Sequence, residues 1–132
     1  MMRTIQIFAT LGLFLFLTSC ASTARFPIST VVPAAEIDAK KTTDSHNNYV
    51  LELRIKNLAS PDRLKPAGNN YSVWVVTKSN VVRNMGQLNV DNAGKSSFRS
   101  TSPFDFDEIF ITVEDQGNIK SPEGTEISRT KI

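Results

Sequence analysis

Cysteine is almost absent from this chain: 132 residues carry one, Cys20. That excludes an intramolecular disulfide and any cysteine-cluster zinc site. Histidine is equally scarce, and His46 alone leaves too few ligands for a His–Cys or His–His metal centre. A surplus of one charge is lacking as well. Lys and Arg number 15 and Asp and Glu 13, a formal net charge of +2, so the basic stripe that nucleic-acid binding needs is missing. There is no phosphate-cradling glycine loop, no G-x-S-x-G elbow and no carboxylate pair at recognisable spacing. Neither a cofactor, a metal nor catalysis is therefore expected. What remains is 40% hydrophobic residues, enough to build a core. The length suits one domain.

The start of the chain carries the strongest signal. Met1-Met2-Arg3 is a short basic beginning, and an apolar run follows from Ile5 to Leu17, 13 residues broken by Gln6 and Thr10. A spanning helix needs about 20 predominantly apolar residues, whereas a basic start, a short apolar core and small residues after it form a secretory signal peptide. Leu17-Thr18-Ser19-Cys20 resembles the lipobox of bacterial lipoproteins. The resemblance implies that residues 1–19 are removed and that the Cys20 thiol carries lipid. Two or three acyl chains hold a protein stably where one does so only marginally. The mature chain, 20–132, would keep 14 basic and 13 acidic side chains, because Arg3 alone is lost from 15 and 13. Ala21 follows the cysteine and no acidic run comes after it. In a host with two membranes, that resemblance favours the periplasmic face of the outer membrane. A plain signal peptide with an incidental cysteine and an uncleaved anchor are the alternatives.

Residues 20–33 are rich in Ala, Ser, Thr and Pro and read as a flexible tether. Beyond them period two dominates. Leu51, Leu53 and Ile55 alternate with Glu52, Arg54 and Lys56, which is a half-buried strand. Tyr71–Thr77 is apolar on both faces and predicts a central strand. Gly86 separates Val81-Val82-Arg83 from Gln87–Val90. Asp91–Gly94 is a turn before a strand around Phe98. Ile109, Ile111 and Val113 alternate inward, and Thr125–Arg129 supplies an edge. With Glu36–Thr42 first, this makes about seven short strands, the spacing of an all-β sandwich over 34–132.

The stretch from Tyr49 to Gly124 resembles the extracytoplasmic domain of anti-sigma-K-factor-type proteins. Tyr71 with Trp74, Gly86 with Leu88, and the valine-containing strand that closes on Glu114 carry the resemblance. It implies an immunoglobulin-like antiparallel sandwich. It does not extend to sigma-factor binding, because the helical domain that performs it in that family has no counterpart here.

The remaining candidates read first as structure. His46 sits in a polar loop, Thr43–Asn48. Asp105, Asp107 and Glu108 offer hard oxygens but lack the ligand ladder of a calcium loop. Tyr71 and Trp74 read as core before ligand platform. The expectation is a lipid-anchored envelope sandwich acting by binding or structural support. Its partners would be the membrane, through the N-terminal lipid, and an unknown envelope protein, with no nucleic acid. A sensory ectodomain related to anti-sigma signalling is the second reading, and a carbohydrate-binding or minor hydrolytic module the third.

Overall fold

The computed structural model describes residues 21–91 and 94–132. The signal-peptide and lipobox expectations at Leu17, Thr18, Ser19 and Cys20 therefore lie outside the described residues. The alternating segments fold as strands: β1 (Ser22–Arg25), β2 (Glu36–Thr43), β3 (Tyr49–Lys56), β4 (Asn70–Thr77), β5 (Val82–Leu88), β6 (Ser96–Ser102), β7 (Phe106–Glu114) and β8 (Thr125–Lys131). They form two antiparallel four-stranded sheets, β1-β2-β3-β6 and β5-β4-β7-β8. The protein is an all-β sandwich. Lettered A, B, C, C′, E, F and G, strands β2 to β8 give sheets A-B-E and C′-C-F-G, an immunoglobulin-like order in which the fifth strand stays beside C.

Between the sheets, Leu51, Leu53 and Ile55 share one buried cluster with Tyr71, Val73, Val75, Phe106, Ile109, Ile111 and Val113. Each such side chain contributes about 1.5–3 kcal/mol on burial, opposed by the entropy of ordering the chain. Phe98 is only half-buried, because β6 is the edge strand of its sheet.

Two expectations are corrected. Where a tether was expected over 20–33, Ser22–Arg25 pairs with β2 from Ser22↔Lys41 to Arg25↔Asp38. The Phe26 amide then donates to the Ile37 carbonyl at 2.9 Å, and Phe26 and Val32 enter the core. Small polar residues make ladder bonds as well as any others, so two apolar side chains suffice to seat the segment. The strand count rises to eight. Second, Gly86 does not divide two strands. It lies inside β5 at φ +130°, where the register against β4 slips between Val73 and Trp74. That is a bulge, a position glycine takes without strain. Trp74, read as core, is fully buried; alternation along β4 turns it to the opposite face from Val73 and Val75, outside the inter-sheet cluster.

Register also fixes which loops share an end. In the first sheet Thr43 pairs with Tyr49 and Tyr49 with Ser102. In the second, Thr77 pairs with Phe106 and Val76 with Val82. Loops 44–48, 78–81 and 103–105 thus gather at one end of the sandwich, where Ser22 also begins β1.

Candidate functional site

At that end a lysine points inward. Ile37, Ala39 and Lys41 stand in phase on β2, so Lys41 follows two core residues into the space between the sheets. Its side chain is 14% exposed. The ammonium donates to the Asp105 carboxylate and to the Phe106 carbonyl. It lies 4.7 Å from the centre of the Phe106 ring and 5.4 Å from that of Tyr49, within cation–π range. Lys78, from the β4–β5 hairpin, approaches the other Asp105 oxygen at 3.1 Å. Partial burial pushes the Asp105 carboxyl upward, but bonds from Lys41 and Lys78 outweigh it and hold the group below its usual range. Lys78 is raised in turn, chiefly by its bond to Asp105. Two lysines share one carboxylate, with ring faces around Lys41, and make a pin between the sheets that keeps one net positive charge.

This placement gives two of the three carboxylates considered as calcium ligands cationic partners. Asp105 is held by two ammonium groups, and Glu108 is bridged by Arg129 at 3.1 Å. Among the described residues no group of three or more His, Cys, Asp or Glu gathers to hold a metal. Asp107 sits on β7, with its carbonyl accepting from the Ile132 amide. His46 is exposed in the β2–β3 turn, and its amide donates to Asp44 Oδ1 at 2.8 Å. Its ring nitrogen lies 3.4 Å from the neighbouring Ser45 hydroxyl. That loop is built around the Asp44 carboxylate, which also accepts the Asn48 amide. The Asn48 bond leads in drawing the Asp44 carboxyl down.

Tyr71, Trp74, Gly86, Leu88 and Glu114 all lie on the second sheet. One row runs across four strands on its outer face: Asn84, Trp74, Phe110 and Arg129. The indole and the Phe110 ring lie stacked at 6.1 Å, and the Arg129 guanidinium lies 4.1 Å over Phe110. Trp74 Nε1 donates to Thr112 Oγ1 at 2.8 Å. Segment 115–124 folds back along this face as a strap. Glu114 fastens one end by accepting the Glu123 amide at 2.8 Å and the Gly124 amide. Asn84 Nδ2 fastens the middle, donating to the carbonyls of Gly117 and Ile119 at 3.2 and 3.0 Å. Tyr71 is on the inner face, and its hydroxyl donates to the Ala59 carbonyl at 2.6 Å. Burial, with a smaller push from Asp62, raises the Tyr71 phenol to about 12. Leu88 pairs with Tyr71 and is buried. Gly86 faces Phe98, whose ring would lie 3.2 Å from an added Cβ. Tyr71 and Trp74 are thus enclosed, with both polar tips bonded, and do not form an exposed platform.

A cleft of about 510 Å³ separates the strap from the 66–67 loop, bordered by Glu114, Asp115 and Glu123. A second groove of about 540 Å³ runs beside β5, lined by Val82, Arg83, Met85, Pro103 and Phe104. Sequence reasoning missed both Lys41 and Phe104. Lys41 was legible as the third member of an alternating series with Ile37 and Ala39. Phe104 had no signal, because nothing in a Ser-Pro-Phe-Asp loop says which way the ring turns. No family model matches this chain, and neither a curated protein nor a solved structure does.

Proposed function

We propose that this chain is a lipid-anchored protein of the cell envelope that acts by binding or structural support and not by catalysis. The observation that carries the reading is Leu17-Thr18-Ser19-Cys20 directly after a 13-residue apolar run. An aliphatic residue, two small ones and the chain's only cysteine stand in the order lipidation requires. The most engaged polar groups also favour a structural role: Lys41 and Asp105 join the sheets, and Glu114 fastens the strap. On this reading the sandwich lies on the periplasmic face of the outer membrane where the host has one, with an envelope protein as partner.

Mass spectrometry of the N-terminal peptide of the full chain, isolated from membranes, tests it. Lipid on Cys20 and loss of residues 1–19 are the expected result. A soluble chain with a free thiol would sink the reading.

A second reading, a sensory ectodomain related to anti-sigma signalling, draws on the gathering of Tyr71, Trp74, Gly86, Leu88 and Glu114 on the second sheet alone. Crosslinking in intact envelopes separates the two. Capture of a signalling membrane protein favours the second, and capture of a structural envelope protein the first.

A further inference from the structure

We infer that the end of the sandwich where β1 begins is a membrane-contacting surface, with Phe104, Val81 and Val82 seated in the lipid interface. The inference rests on the lipid anchor proposed above and says how the folded domain sits on it.

The first argument is distance. Ser22 already belongs to the first sheet, paired with Lys41, and only Ala21 separates it from Cys20. Two extended residues reach about 7 Å, less than the width of a sheet. A domain acylated at Cys20 is therefore held against the bilayer by one particular end, with no slack to turn away. A tether over 20–33 would have left every orientation open.

The second argument is what that end exposes. Four large hydrophobic side chains are exposed among the described residues, and three of them, Val81 at 44%, Val82 at 37% and Phe104 at 47%, belong to this end. The fourth, Ile28, lies in the segment that links β1 to β2 beyond the opposite end of β1. Val81 closes the β4–β5 hairpin, where its amide donates to Thr77 Oγ1 at 3.1 Å. Phe104 is presented by a turn in which the Ser102 hydroxyl accepts its amide and donates to its carbonyl, both at 3.0 Å. Both loops are thus tied to their strands by side-chain hydrogen bonds, which lowers the cost of ordering their apolar tips.

Charge agrees with this placement. The Arg83 guanidinium lies 4.0 Å over the Phe104 ring, and Lys120 borders the same groove. A guanidinium stacked on an apolar ring suits the headgroup layer, where its charge remains solvated and the ring is buried. Of the acidic groups at this end, Asp105 is paired with both Lys41 and Lys78. Asp44 is engaged with backbone amides in its own turn. With Asp107 counted, the cations Lys41, Lys78, Arg83 and Lys120 face the carboxylates Asp44, Asp105 and Asp107, four against three, which is no strong net field. The apolar tips, not attraction to anionic lipid, make the contact.

Site-directed spin labelling of the full chain tests this, in vesicles of phosphatidylethanolamine and phosphatidylglycerol. Three variants are labelled: Phe104→Cys, Val82→Cys and, at the opposite end of the sandwich, Lys95→Cys. The expected result is that the labels at 104 and 82 collide with oxygen more often than with a water-soluble nickel complex, while the label at 95 shows the reverse. Acylation leaves Cys20 unable to take the label. If Cys20 is blocked and all three labels behave as aqueous, the orientation is wrong and the anchor survives. A label on Cys20, with the chain in the soluble fraction, overturns the anchor and this inference together. Shielding of 104 and 82 in native envelopes but not in lipid vesicles would assign the surface to a protein, and would equally overturn it.

Discussion

Trp74 shows how one residue is held by an environment that no single neighbour supplies. Its ring is covered on the outer face of the second sheet, with Phe110 stacked beside it and Thr112 taking the indole hydrogen. Arg129, fixed by Glu108 and Glu126, extends the stack. Truncating a fully buried aromatic removes its transfer energy and leaves a cavity, so Trp74→Ala should cost about 3–5 kcal/mol. Trp74→Phe should cost less, because most of the area survives and about 1 kcal/mol of hydrogen bonding is lost. Urea unfolding of the two variants measures the difference. Equal midpoints for Ala and the parent chain would mean that the ring is uncovered in solution.

The strap over 115–124 is an element without secondary structure, held by side chains reaching out of strands. Glu114 and Asn84 bind its backbone from β7 and β5. Gly124 lies against backbone, since an added Cβ would sit 1.6 Å from the Val113 carbonyl oxygen. Gly124→Ala must therefore displace the strap from Glu114, at a cost of about 1–3 kcal/mol. Hydrogen exchange should quicken across 115–124 while β3 and β7 stay protected, as expected when one local unit opens alone. Gly117→Ala is the control. Its Cβ would meet the end of the Gln87 side chain, which can swing aside, and exchange should be unchanged. If Gly124→Ala exchanged like the parent, the strap would owe nothing to this contact.

For the whole molecule, the pin between Lys41 and Asp105 joins the sheets at the end opposite Gly94. The folded-state pKa of Asp105 lies below its ordinary value of 3.8. Above the unfolded value the ionised carboxylate contributes its full stabilisation, and as pH falls the unfolded chain takes up the proton first. The contribution then declines through the folded value and is gone below it. Denaturation midpoints should fall with pH below about 4, and Asp105→Asn should flatten that fall while lowering stability at neutral pH. An undiminished acid slope in the variant would assign the effect to other carboxylates.

Local chemistry determined a good deal by itself. Alternation placed Leu51, Leu53, Ile55, Ile109, Ile111 and Val113 in the core, because a strand's period of two needs no knowledge of its partner. Turn residues bounded most strands for the same reason. The resemblance of Leu17-Thr18-Ser19-Cys20 to a lipobox is likewise read from four adjacent residues. Tertiary structure decided the rest. Pairing with β2 turned the expected tether into a strand, since ladder bonds come from the neighbour and not from composition. A bulge carried β5 through Gly86 where the residue alone suggested a break. The strap decided that Trp74 is covered on the outer face, and register alone brought Lys41, Asp105 and Phe104 to the end where the chain enters the fold. These are contacts between residues tens of positions apart, and the loops that make them have no period from which to read them.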